Sequence, residues 1–239
     1  MRGGGWRGRR VVRGVYPWGR HSRRARGGGA RRVWTPRAGA RYVGAMSPID
    51  RVAVRVAFQG APGAFGDAAV RAWRADAASV PCATFEAVLD AVRTGAATAG
   101  VLPIENRIAG PVVAARLALE AAADAVTVLD VVTVRVALCV LGVPGARMTT
   151  LRAVRSHPVA LAQCGGFLAA HPEIAGDPWW DTAGAARDVA AAGDPQVGAL
   201  ASRLAAERWG LVVLATDVQD VEDNWTRFVV VGPSHTEAV

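Results

Sequence analysis

Lysine is absent from the 239-residue chain, so all 28 of its basic residues are arginines. With alanine and glycine also abundant, this pattern reads as coding bias and not as a designed basic face. Aromatic residues make up only 6% of the chain, while alanine and valine are common, a balance that suits helices packed closely on strands. Cysteine is scarce: Cys82, Cys139 and Cys164 are odd in number, widely spaced and set in apolar surroundings. That excludes a disulfide framework and a zinc site, and it fits a reducing, cytoplasmic setting. No apolar run reaches the roughly 20 residues needed to cross a bilayer, so a membrane span is excluded. Nor does a continuous apolar stretch follow the basic start or the pairs Arg9-Arg10 and Arg23-Arg24, which argues against export.

The formal net charge of +8 suggests a nucleic-acid partner until its distribution is considered. Residues 1–45 hold 13 arginines and no acid; residues 46–239 hold 15 arginines and 20 acids, giving +13 and −5. The body of the chain is mildly acidic and no nucleic acid is expected there. The first 45 residues, with two Gly-Gly-Gly runs and no apolar periodicity, are expected to be a disordered leader, with Met46 as the functional start. An organellar transit segment and an RNA-binding tail are the alternatives.

From residue 52 onward, strand-like and helix-like segments alternate, which predicts a layered α/β fold with largely parallel strands. Strands are expected near 52–58, 99–103, 126–143 in two runs, 196–201, 211–215 and from 225. Helices are expected near 67–75, 85–94, 111–123, 159–170, 182 onward and 202–209.

Chemistry-bearing residues fall at the ends of these segments. The turn containing Gly60, Gly63 and Gly66 presents backbone N–H groups at a helix start, suited to a carboxylate; a plain tight turn is the alternative. Glu105 and Asn106 follow the carboxyl end of a strand, where ligands of open α/β sheets gather. Ser156 is expected to cap the helix at 159–170, with Gln163 two turns on and on nearly the same face. His157 lacks an evident acidic partner and reads as structural. Asp181-Thr182 repeats the pattern of a polar cap before a small-residue helix, and Thr182 is a second candidate for a cleft. Asp220-Val-Glu-Asp-Asn-Trp-Thr-Arg-Phe228, entering a valine-rich strand, places Thr226 and Phe228 on one face and Arg227 on the other.

Five collinear segments resemble the catalytic domain of the prephenate dehydratase family: Phe58-Gln-Gly60 with Gly63-Ala-Phe65; Gly100-Val-Leu-Pro-Ile-Glu-Asn106; Ser156-His-Pro158 with Ala160-Leu-Ala-Gln-Cys164; Asp181-Thr-Ala183; and Asn224-Trp-Thr-Arg-Phe228. The resemblance implies a two-lobed α/β catalytic domain like type 2 periplasmic binding proteins, with the active site in the interlobe cleft. One lobe is expected at 52–127 plus 215–232 and the other at 128–214. It further implies conversion of prephenate to phenylpyruvate, no metal or organic cofactor, a homo-oligomer, Thr226 as hydrogen-bond donor to the leaving hydroxyl, and Asn106, Ser156, Gln163, Arg227, Thr182 and Gly63 at the substrate. Arogenate dehydration, non-aromatising prephenate decarboxylation and ligand binding without turnover are the alternatives. Arg107 and Gly66 stand where the family usually has hydroxyl residues, and Asp67 where glutamate is common. The chain closes at Val239, so the regulatory ACT domain common in the family is not expected.

Overall fold

Two mixed sheets, each sandwiched between helices, organise the computed structural model, which describes residues 54–234. The expectations for residues 1–45 and for a start at Met46 lie outside the described residues. In chain order the first lobe holds β1 (Arg55–Gln59), α1 (Phe65–Trp73), β2 (Ala78–Cys82), α2 (Phe85–Arg93), β3 (Ala99–Asn106), β4 (Gly110–Pro111), α3 (Val113–Ala121) and β5 (Val126–Arg135). The second holds β6 (Cys139–Gly142), a 3-10 turn (Met148–Thr150), β7 (Ala153–Ser156), α4 (Pro158–Ala162), α5 (Gly165–Ala170), β8 (Ala175–Pro178), α6 (Thr182–Ala192), β9 (Val197–Ala201), α7 (Arg203–Trp209) and β10 (Val212–Ala215). The chain then returns to the first lobe as β11 (Trp225–Pro233).

The first sheet has the order β2-β1-β3-β11-β5, with β4 paired to β3; the second runs β10-β6-β9-β7-β8. Alternation in the sequence decides which face each strand side chain takes. In β11, Phe228 and Val230 pack towards α1 with Val56, Phe58 and Val70, while Val229 and Val231 pack towards α2 and α3 with Val88, Leu102 and Ala115. In the second lobe the alanines of α6 and α7 lie on Leu141, Ala199 and Ala201, and α4 and α5 cover Val154 and Leu200 from the other side. Small side chains permit this close helix-on-sheet approach.

Two expectations are corrected. The pairing is mixed, not largely parallel: β11 is antiparallel to both β3 and β5, and β6 is antiparallel to both β9 and β10. The cause is the double crossing between lobes, since a chain that leaves along β5 and returns along β11 must reverse direction between them. Likewise the lobe boundary expected at 127/128 falls inside β5, whose pairing with β11 continues to Arg135 opposite Trp225. The sheets change at 135–139 on the way out and 215–225 on the return. Among the described residues, no helix is long and apolar enough to cross a membrane.

Candidate active site

Where the lobes meet, the loop after β1 docks on α7 of the other lobe. Gly63 adopts φ +92°, a conformation that favours glycine, and its amide donates 2.9 Å to Asp67 Oδ2. Its carbonyl accepts 2.6 Å from Ser202 Oγ, the N-cap of α7, and Trp209 Nε1 donates 3.0 Å to Pro62 O. Asp67 is fully buried; it also accepts from Ser79 Oγ at 2.6 Å and pairs with Arg208 Nε at 3.2 Å. These bonds join α1 of one lobe to α7 of the other.

A cavity of about 190 Å³ opens beside this junction. The first lobe contributes Gln59, the stretch 63–66, Val101, Pro103, Thr226 and Phe228; the second contributes Asp181, Thr182 and Ser202. Helices α1, α6 and α7 all start on it. Ala64 gives α1 no side-chain cap, so the first-turn amides of Phe65 and Gly66 remain available to an anion. Helix α6 is capped by Asp181, whose Oδ2 accepts 2.8 Å from the Gly184 amide. Asp181 is the sole formal charge in the wall among the described residues.

Thr226 is 8% exposed, and its Oγ1 accepts 2.9 Å from Asn106 Nδ2. With that lone pair engaged from behind, and no acceptor for its own proton among the described residues, the hydroxyl is arranged to donate into the cavity that Thr226 lines. The Asn106 amide also lies 3.1 Å from Asn224 Oδ1 and from Trp225 O. Its oxygen accepts from the amides of Ile108 and Ala109 at 3.0 and 2.9 Å. A chain of amides continues from Asn224 Nδ2 to Gln163 Oε1 at 3.4 Å, linking the threonine to the end of α4 in the second lobe.

Three of the seven residues expected at the substrate therefore line the cavity: Thr226, Thr182 and Gly63. The other four lie outside its wall. Asn106 and Gln163 are in the amide chain behind Thr226. Ser156 is corrected more sharply: it ends β7, is 0% exposed and donates 2.7 Å to Leu200 O across the sheet, while His157 caps α4 through Nδ1. Arg227, on the opposite face of β11 from Thr226, pairs with Glu105 at 2.8 Å and lies over the Trp225 ring. The residues missed from the sequence are Ser202, Phe65, Gln59 and Asp181 as wall, and Asn224 as the middle of the amide chain. Ser202 carried the same signal as Asp181, a polar N-cap residue directly before a helix.

No nucleophilic thiolate is available nearby. Burial raises the pKa of all three cysteines, and burial with the Asp220 carboxylate pushes Cys164 up to about 12. Among the described residues, no group of three or more His, Cys, Asp or Glu side chains could hold a metal ion.

Of the departures from the family pattern, Arg107 points away from the cavity: its Nη2 lies 3.4 Å from Asp223 and half its side chain is exposed. Arg107→Ser is therefore expected to change kcat and KM by less than about twofold, since Arg107 is not part of the cavity wall and its exposed ion pair contributes little. A tenfold change in steady-state rates would place Arg107 at the substrate after all. Gly66 does line the cavity, and a Cβ there would sit 3.1 Å from the Phe58 ring.

The prephenate dehydratase family model matches residues 56–236. A bifunctional N-acyl-homoserine lactone acylase/prephenate dehydratase from Komagataeibacter europaeus is 39% identical over 177 residues, covering 73% of this chain and 61% of the relative. Arogenate dehydratase/prephenate dehydratase 1 from Arabidopsis thaliana is 37% identical over 186 residues, covering 76% of this chain and 45% of the relative. The crystal structure of prephenate dehydratase from Arthrobacter aurescens in complex with L-Phe superposes with a TM-score of 0.70 at 30% identity, covering 77% of this chain and 61% of that one. The chain thus spans roughly half to three-fifths of the length of these proteins. On the family match and these identities, the chain belongs to the prephenate dehydratase family.

Proposed function

We propose that the chain catalyses the decarboxylating dehydration of prephenate to phenylpyruvate, CO₂ and water, a step of phenylalanine biosynthesis. The observation that carries this reading is the buried Thr226 hydroxyl on the cavity wall, held by Asn106 so that its proton is offered to a ligand. Prephenate bears a ring carboxylate and, across the ring, a hydroxyl. As the bond from ring to carboxylate breaks, its electron pair enters the ring and the opposite C–O bond breaks. The departing oxygen takes up one proton and leaves as water, so one proton is consumed per turnover of the dianion. Aromatisation supplies the driving force, and the site needs chiefly to orient the substrate and to polarise the C–O bond. A threonine hydroxyl is a weak acid, and its contribution is a preorganised hydrogen bond to the oxygen as negative charge develops there. No cation lines the cavity among the described residues, so a leaving carboxylate would not be held back by a salt bridge. The first-turn amides of α1 suit the side-chain carboxylate.

Asn106→Asp tests the polarity of this arrangement. The aspartate can still accept from Ile108 and Ala109, but towards Thr226 it becomes an acceptor, so the threonine proton turns away from the cavity. Turnover is expected to fall about 10²-fold with KM little changed; a fall in affinity alone would instead make Asn106 a direct ligand.

Arogenate is the second reading, favoured by one feature: Asp181 lines the cavity, where its carboxylate would attract the ammonium that arogenate has and prephenate lacks. Initial rates on both substrates, followed by the ultraviolet absorbance of the aromatic product, test the reading and decide between them. Prephenate is expected to give the higher kcat/KM. Aromatic product from neither would contradict the dehydratase reading.

A further inference from the structure

We propose that a second cavity, on the far side of Phe65 and Ser202 from the first, binds a small monocarboxylic acid with an apolar body. This cavity has a volume of about 270 Å³ and is formed where both lobe crossings run side by side. Its walls come from α1, the exit from β5, the start of α7 and the segment after β10, so an occupant would touch both lobes and both crossings. Phe65 and Ser202 belong to this cavity and to the candidate active site alike.

The chemistry of the lining selects the ligand. Phe65, Ala68, Val134, Ala137 and Leu204 form an apolar floor, and Cys139 adds a thiol that burial keeps protonated. Two cations stand at this floor and differ in what they can accept. Arg135 is already paired with Asp217 at 2.8 Å, and Asp217 is held at φ +54° in the turn that follows β10. Arg203 is exposed and has no carboxylate within ion-pair distance among the described residues. An apolar cavity with a single uncompensated guanidinium fits one carboxylate on a ring-sized or branched apolar body, the usual pattern of small-ligand sites. A dianion or a cation would not be matched.

The test is calorimetry of the purified chain with 3-phenylpropionate as probe and phenethylamine as its cationic counterpart, on wild type, Arg203→Gln and Ala68→Leu. Arg203 and Ala68 line the second cavity and not the first, so the measurement locates the ligand independently of any reaction. The expected result is saturable binding of the acid by wild type, weakened about tenfold or more in Arg203→Gln by loss of the charge-assisted bonds. Binding should be abolished in Ala68→Leu, whose side chain fills the floor, and phenethylamine should not bind. Equal affinity of wild type and Arg203→Gln, or no saturable binding by wild type at millimolar acid, or equal binding of the amine, would overturn the proposal. Should Ala68→Leu fail to fold, Arg203→Gln decides alone, because Arg203 is exposed and unpaired.

Discussion

Thr226→Ala is expected to cost about 10²–10³-fold in kcat, the effect of removing one preorganised donor to a developing oxyanion, while KM for prephenate stays within a few-fold. The split follows from position. Thr226 forms one point of a cavity whose remaining wall, including the amides of Phe65 and Gly66 and the Thr182 hydroxyl, is untouched by the substitution. The fold should barely notice, because Asn106 Nδ2 keeps Asn224 Oδ1 and Trp225 O as acceptors when the threonine oxygen is gone. Loss of the single bond costs about 1 kcal/mol. Thr226→Ser retains the hydroxyl and should recover the larger part of the rate. Steady-state kinetics and a thermal melt of the two variants check this together; wild-type turnover by the alanine variant would remove Thr226 from the chemistry.

Gly63→Ala is expected to destabilise the protein by about 2–5 kcal/mol, through overpacking and an unfavourable backbone conformation. A Cβ at Gly63 would lie 2.5 Å from Ala205 Cα and 3.0 Å from its amide nitrogen, and φ there is +92°. The obstacle is the backbone of α7, which cannot swing aside as a side-chain tip would. Either the loop withdraws, losing the Ser202 bond to Gly63 O and the Trp209 bond to Pro62 O, or α7 shifts and alters the spacing of the lobes. Both outcomes reach the cavity, since Gly63 and Ser202 line it. A Tm about 5–15 °C below wild type, with impaired turnover, is the expected result. A melt within about 1 °C of wild type would show that the lobes are not docked at this contact.

The features legible in the sequence are those whose cause is local. Alternation along 225–231 placed Thr226 and Phe228 on one face, and the structure has them lining one cavity. Strand β3 carries a bulge there, with Arg227 opposite Glu105 and Phe228 opposite Pro103; the extra residue is Ile104, so the alternation of β11 is undisturbed. The C-terminal end of α7 was also legible, because a glycine such as Gly210, left-handed in the structure, is a signal carried within a few residues.

What was not legible depends on partners far along the chain. Ser156 and His157 are adjacent polar residues before Pro158, and either could cap the helix. Leu200, across the sheet, settles the matter by taking the Ser156 hydroxyl. The helix expected across 159–170 breaks at Gln163 because Asp220, from the return crossing, bonds the amides of Gly165 and Gly166 and starts a new helix there. Strand β2, with Pro81 inside it, lacks an alternating pattern and forms as the sheet edge because β1 offers it a parallel partner. Asn106 could be singled out as a candidate from its place at the carboxyl end of β3, but its part behind Thr226 needed the bond to Thr226 itself.

What prephenate loses when it meets the purified chain is the most direct readout of the proposed reaction. Proton NMR of the reaction, with CO₂ determined in parallel, is expected to show an aromatic ring appearing as phenylpyruvate and one CO₂ released per phenylpyruvate formed. CO₂ released with a ring that keeps its hydroxyl and stays non-aromatic would contradict the claim, because the Thr226 hydroxyl would then not be assisting departure of the hydroxyl group.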